Sequence, residues 1–371
     1  MRKVYLFACI EKNIGDDLFV YSICKRYPSC KFIISKAAKY GSLQKIPNLR
    51  FSRILQLWQY FSEKIFKNPI LEIIRGVILY LLKFFLLDRA IGVYIVGNAF
   101  KNNNYIGIKQ SRWIHERADL VNDFFLLSTN FGPYTDERWL VDNKRIFRSF
   151  ADICFRDLYS YKKFCDLDNV RYAPDAVISL GKYIKKEENK DEYAIITLID
   201  CAMSSRGRLI NLSCKNYETA LTNAAIDFIK KNIKVVILTS NNQQDYVAAR
   251  RLYKNINNDR MVRIEEYNGD FYSVLELFSR ARAVIATRLH TIILSWLYDV
   301  PVFPISYDIK ISNLLRDYKF LGKYWDMLTQ ESYEINVEEL LTEYEYVLPN
   351  EIEDAADEQF LVLDRYLSRM N

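Results

Sequence analysis

Arg288, His290 and Lys310 are residues of this chain whose types and spacing suit chemistry on an anion. Ala286-Thr287-Arg288-Leu289-His290 closes an apolar, strand-like run and opens a helix-like one, which leads to Pro301 and then Ser306-Tyr307-Asp308-Ile309-Lys310. A guanidinium can grip a planar anion with two parallel hydrogen bonds, and an ammonium offers a compact charge. An imidazole can hand over a proton near neutral pH. The helix amides at such a junction also point outward and favour negative charge. The chain has two histidines. His115, in Trp113-Ile114-His115-Glu116-Arg117, belongs to no recognisable motif and reads as structural, and a histidine at a helix start can be nothing more than a hydrogen-bonding group.

Short apolar runs that end in polar or glycine-containing loops must position these groups. Residues 4–10 lead into Asn13-Ile14-Gly15-Asp16-Asp17 and a helix over 18–26. Residues 93–96 lead into Gly97-Asn98-Ala99, and residues 124–127 into a loop, Ser128-Thr129-Asn130-Phe131-Gly132-Pro133-Tyr134. Residues 153–155 give way to Arg156-Asp157 and a helix over 158–165, and residues 171–173 stop at Pro174-Asp175. The charged stretch 182–192 reads as a linker. Beyond it, strands over 193–199, 234–239, 262–264, 283–286 and 300–305 alternate with helices over 217–231, 243–253 and 291–298. Such alternation predicts parallel α/β sheets. The expected organisation is an N-terminal domain over 1–181, a C-terminal domain over 193–325, and an acidic helical tail over 326–371 that packs back on the first domain.

At 371 residues the chain exceeds one ordinary core and suits two domains. With 50% hydrophobic and 26% charged residues it is globular. A net charge of +6 without long basic runs argues against nucleic-acid binding and favours a small anionic ligand or an anionic surface. Seven cysteines with no CxxC pair predict free thiols in a reducing compartment, with neither a disulfide framework nor a zinc site. Glu11, Lys12, Asp16 and Asp17 follow the first apolar run where an export signal would be cleaved, so a cytoplasmic protein is expected. Neither GxGxxG nor GxxxxGK[ST] is present.

Taken together, Asn13-Ile14-Gly15-Asp16-Asp17, Phe131-Gly132-Pro133-Tyr134, Arg156-Asp157 with Ser160-Tyr161, Pro174-Asp175, and Arg288-Leu289-His290 through Pro301 to Ser306-Tyr307-Asp308 and Lys310 resemble the polysaccharide pyruvyl transferase family, in family order over roughly residues 4–320. The resemblance implies two Rossmann-like parallel-sheet domains facing a central cleft, a GT-B-like architecture. It also implies transfer of pyruvate from phosphoenolpyruvate to a diol of a saccharide acceptor as a cyclic ketal, in surface polysaccharide biosynthesis. By position, Asp16, Arg156, His290 and Lys310 match family residues; the chemistry of the donor then makes His290 the candidate general acid, Asp16 the candidate proton acceptor with Asp157 second, and Arg156, Arg288 and Lys310 the candidate donor clamps. Asn13, Gly15, Asp17, Asn98, Asn130 and Asp157 are candidates for the acceptor side or the cleft. The chain departs from the family at Gly97-Asn98-Ala99, where a glycine cluster is common, and at Ser128-Thr129-Asn130. Each assignment has a structural competitor: Asp16 as a helix cap, Arg156-Asp157 as an ion pair opening a helix, Gly15, Gly132 and Pro133 as loop formers.

Residues 51–88 break the α/β alternation. Ile54, Leu57, Trp58, Phe61 and Ile65 recur at helical spacing near Arg53, Lys64 and Lys67, and the apolar run 70–87 carries Glu72, Arg75 and Lys83 on one stripe, which argues against a spanning helix. This helical insert either covers one side of the first sheet or lies on an anionic inner leaflet, which would suit an acceptor linked to a lipid diphosphate. No metal or other cofactor is expected, since two histidines and no acidic cluster of ligand spacing offer no site. Two other readings fit the same residues: a GT-B glycosyltransferase that uses a nucleotide sugar, and a non-catalytic saccharide-binding or scaffold protein.

Overall fold

The computed structural model describes residues 4–57, 90–102, 114–187, 190–201, 208–239 and 243–369, without the side chains of 98, 99, 208–212 and 243. Contacts divide the chain into two units. Unit 1 comprises residues 1–10, 16–179 and 354–371, and unit 2 comprises Glu11–Gly15 and Leu180–Glu353. The chain end thus divides: residues 326–353 belong to unit 2, and only the last stretch belongs to unit 1.

Unit 1 is built on β1 (Val4–Phe7), β2 (Phe32–Ser35), β3 (Leu49–Ser52), β4 (Ile91–Ile95), β5 (Asn98–Phe100), β6 (Asp123–Phe131), β7 (Asp152–Phe155) and β8 (Val170–Tyr172). Its main sheet runs β3-β2-β1-β4-β6-β7-β8, with β5 beside β6 and every pairing parallel. β1, β4 and β7 are buried along their whole length, which is why they read as unbroken apolar runs. Strand order reverses between β1 and β4. The loops after these two strands therefore open at a switch point, where sheets of this kind bind ligands.

Residues 128–130, expected in a loop, continue β6 instead. Ser128 takes φ 56° and the register with β7 shifts there. Its amide donates to Gln359 Oε1 at 2.9 Å, and its hydroxyl accepts from the Ala176 amide at 3.0 Å. Polar residues stay in this buried strand because their hydrogen bonds are met from elsewhere in the chain. Gln359 is fully buried and also donates to the carbonyls of Ala173 at 2.7 Å and Phe155 at 3.5 Å, so one amide ties β6, β7 and the end of β8.

Unit 2 holds β9 (Tyr193–Thr197), β10 (Lys234–Thr239), β11 (Val262–Glu266), β12 (Ala283–Ala286), β13 (Val302–Ser306) and β14 (Trp325–Asp326), parallel in the order β11-β10-β9-β12-β13-β14. Here the reversal falls between β9 and β12, and Arg288 and His290 follow β12 directly. The expectation of free thiols fails at one place. Helix Arg208–Lys230 carries Cys214 back to the loop after β9, where it forms a disulfide with Cys201, with Cα atoms 5.4 Å apart; Cys9, Cys24, Cys30, Cys154 and Cys165 are in no disulfide. No described helix is long and apolar enough to cross a membrane. Trp58, Phe61 and the run 70–87 of the expected insert lie outside the described residues.

Candidate active site

In unit 2 the turn from β12 into helix Leu289–Leu297 is fixed by buried hydroxyls. The Thr287 amide donates to the carbonyl of Thr197 and to its Oγ1, both at 3.2 Å. Tyr217 Oη lies 2.9 Å from Thr287 Oγ1 and accepts from the Ile199 amide at 3.2 Å. Thr197 and Thr291 share a hydrogen bond of 3.0 Å, and Thr291 donates to the Arg288 carbonyl at 2.7 Å. Burial pushes the Tyr217 hydroxyl up from its ordinary range, so it stays protonated. These four residues leave the turn little freedom.

Arg288 is the N-cap residue of that helix, with extended backbone. Its guanidinium pairs with Asp245, a buried carboxylate in the first turn of helix Gln243–Ile256 that also accepts from the Asp200 amide at 3.4 Å. Burial opposes the Arg288 charge, and Tyr307 and Asp245 outweigh it, so its affinity for its proton is raised. Arg288 Nε is buried and, among the described residues, has no hydrogen-bond partner. A buried donor left unmatched costs stability, so this N–H is one that a bound anion would satisfy. Lys310 lies at the start of helix Ile309–Asp317, whose cap Asp308 accepts from the Lys310 amide at 3.2 Å. The Lys310 ammonium is 3.9 Å from Asp308 Oδ2 and 5.9 Å from the ring centre of Tyr307. Arg288 and Lys310 thus have Tyr307 as a common neighbour.

His290 is half-buried in the first turn of its helix and lies against Gly15. A β-carbon on Gly15 would overlap the imidazole at Nδ1, so the absence of a side chain there makes room for the ring. Asn13 Oδ1 accepts from the Gly15 amide at 2.9 Å and fixes this turn at the head of helix Ile14–Arg26. Asn13, Gly15, Arg288, His290 and Lys310 accordingly fall in one unit.

The unit 1 candidates gather at the ends of β6, β7 and β8. Arg156 is buried, its Nε donating to Asn130 Oδ1 at 2.6 Å and its Nη1 to Asp175 Oδ2 at 2.6 Å. Gly97 gives it room, since a β-carbon there would fall 2.6 Å from Nη2. Arg156 is therefore a partner to a fully buried carboxylate, a charge that burial makes costly to leave unmatched. Asp157 is the N-cap of helix Leu158–Phe164 and accepts from the amide and hydroxyl of Ser160, both at 2.8 Å, and from Asn130. Burial raises the affinity of the Asp157 carboxyl for protons, and these bonds oppose the shift. Asp17 is fully buried and accepts from Tyr40 Oη at 2.7 Å, while Asp16 is half-buried in the first helical turn. Asn98 begins β5, with its side chain outside the described residues.

Asp245, Tyr217, Thr197 and Thr291 carried no signal in sequence: single polar residues in amphipathic helices or at strand ends read as surface or cap positions. A cavity of about 1060 Å³ within unit 2, beside Phe303, Tyr333 and Glu338, includes none of the candidates.

Two parallel α/β sheets, each with its loops opening at a strand-order reversal, place the protein in the class of GT-B-like proteins. The model of the polysaccharide pyruvyl transferase family matches residues 13–309, and the chain belongs to that family. Comparison with curated proteins found no match. Among solved structures, the UDP-GlcNAc 2-epimerase of Methanocaldococcus jannaschii is similar at a TM-score of 0.57 and 10% identity, over 98% of this chain and 100% of that one. The UDP-N-acetylglucosamine 2-epimerase of Rickettsia bellii is similar at 0.52 and 12% identity, over 100% and 98%. At such identities the likeness is one of fold alone.

Proposed function

We propose that the protein transfers pyruvate from phosphoenolpyruvate to a saccharide diol, forming a cyclic ketal in surface polysaccharide assembly. Family membership supports the reading, and the observation that carries it is that Arg288 and His290 open the helix after β12 and Lys310 the helix after the neighbouring β13, with a buried Arg288 N–H left for an anion. Phosphoenolpyruvate carries a carboxylate and a phosphate on three carbons. Arg288 suits the planar group and Lys310 the other.

His290 delivers a proton to the terminal methylene, and the central carbon then takes an acceptor hydroxyl. Phosphate leaves with its bridging oxygen, a second hydroxyl adds to the same carbon, and the ring closes. Of the two hydroxyl protons, one replaces the proton given by His290 and the other leaves with phosphate. Asp16, the residue after Gly15, is the proposed acceptor of hydroxyl protons. Arg156 and Asp157 are assigned support of these loops through Asp175, Asn130 and Ser160. The acceptor is a saccharide carried on a lipid diphosphate, no metal takes part, and the enzyme works in the cytoplasm at the inner leaflet.

The alternative reading is a glycosyltransferase with a nucleotide-sugar donor, since the same cations would hold a diphosphate. A thermal-shift comparison separates the two. Stabilisation by phosphoenolpyruvate and not by nucleotide sugars supports pyruvyl transfer, and the reverse supports the alternative.

A further inference from the structure

A second basic site lies in unit 1, away from the residues assigned above in sequence. Lys36, Lys39, Lys45, Arg50 and Arg53 line an open concavity of about 530 Å³ beside the edge strand β3. Two short 3-10 helices, Lys36–Ala38 and Gly41–Lys45, supply Lys36 and Lys45, Lys39 is the C-cap of the first, and β3 with the helical turn after it supplies the others. Lys39, Lys45, Arg50 and Arg53 are exposed. No carboxylate lines the concavity, and among the described residues none forms an ion pair with these five. Arg50 is fixed by hydrogen bonds of 2.8 Å and 3.2 Å to the carbonyls of Pro47 and Leu49. Five like charges held close together repel one another, so their grouping is unfavourable until an anion neutralises it.

The residues that follow decide what kind of anion. Arg53 opens a helical turn that buries Leu55 in the core and leaves Ile54 47% and Leu57 55% exposed. A small soluble anion has no use for two exposed aliphatic side chains beside the cations, whereas a lipid surface satisfies both at once, phosphates meeting the cations and acyl chains the apolar groups.

We infer that this face of unit 1 binds an anionic phospholipid surface, with Lys36, Lys39, Lys45, Arg50 and Arg53 on the headgroups and Ile54 and Leu57 in the interfacial layer. The site does not depend on the pyruvyl-transfer reading and brings the protein to membrane-borne acceptors whatever its donor. The test is sedimentation of the full chain with vesicles of phosphatidylcholine alone and with vesicles part-replaced by phosphatidylglycerol. Wild type binds only the anionic vesicles and dissociates as salt rises. Lys39→Glu with Lys45→Glu and Arg53→Glu lowers that affinity by about 100-fold or more, and the milder Ile54→Ser with Leu57→Ser weakens it with all cations present. Melting curves confirm that both variants are folded. Turnover of a water-soluble acceptor is unchanged in them, so a failure of transfer and a failure of binding are read separately. Sedimentation with neither vesicle, equal binding by the triple variant, or binding of soluble pyrophosphate without vesicle binding would each overturn the inference.

Discussion

His290 packs against the α-carbon of Gly15, at a position where any side chain would collide with its imidazole. The glycine that opens helix Ile14–Arg26 therefore sets where the proposed acid can stand. Gly15→Ala is expected to leave the protein folded, because alanine is the better helix former. The ring, however, must move, and a displacement of about 1 Å in a reacting group costs roughly 100-fold in rate. Steady-state kinetics on phosphoenolpyruvate check this: kcat falls about that far while the melting temperature holds. An alanine variant with full kcat would remove His290 from the chemistry.

Arg288 meets Asp245, and its buried Nε, without a hydrogen-bond partner among the described residues, is the proposed contact to the donor. Lysine keeps the charge but has no second donor in a fixed fork, so Arg288→Lys is expected to raise KM for phosphoenolpyruvate by about tenfold or more and to change kcat less. Lys310→Ala should act in the same direction. Donor titration under single-turnover conditions measures both effects.

How much of this was legible in sequence depended on whether the partners were local. β1, β4, β9 and β12 could be read because strands buried on both faces are continuous apolar runs, and Arg288 and His290 stood out because they follow one of them at once. Residues 128–130 could not be read as strand. The group that satisfies the Ser128 amide belongs to Gln359, 231 positions away. The partner of Arg156 was not legible either, because Asp175 is 19 residues on and an Arg-Asp dipeptide does not reveal which buried carboxylate its arginine meets. Cys201 and Cys214, 13 residues apart, gave no pairing signal until the course of the helix that carries Cys214 was known.

Gln359 offers a direct test of the chain end. It serves a buried amide on β6 and a buried carbonyl beyond β8, and the same segment supplies Asp357 and Asp364 to Arg26 at 3.0 Å and 2.7 Å. Gln359→Ala leaves the Ser128 amide and the Ala173 carbonyl unmatched, which costs about 2–4 kcal/mol. Urea unfolding of the variant should show that loss, and Gln359→Glu, which keeps an acceptor for Ser128 and loses the donor to Ala173, should also be destabilised.

His115 gives the stability a pH dependence. Burial pushes its pKa down to about 4, a hydrogen bond with Asn143 opposing the shift. The unfolded histidine titrates near 6.5, so between about 6.5 and 4 the unfolded chain holds more protons and stability falls as pH falls. Asp152 and Asp157, whose carboxyls burial shifts upward, act in the opposite sense as they protonate. The contribution of His115 is therefore read as a difference: melting temperature plotted against pH should fall less steeply below about 6.5 in His115→Gln than in wild type. Parallel curves would place His115 in a site that protonates freely.

The most direct test of the account incubates the protein with phosphoenolpyruvate and a saccharide diol in the presence of chelator, following phosphate release and acceptor mass together. Stoichiometric phosphate and an acceptor heavier by pyruvate less one water are expected, with both lost in His290→Ala. Transfer from a nucleotide sugar with release of nucleotide, or undiminished turnover by His290→Ala, would contradict it.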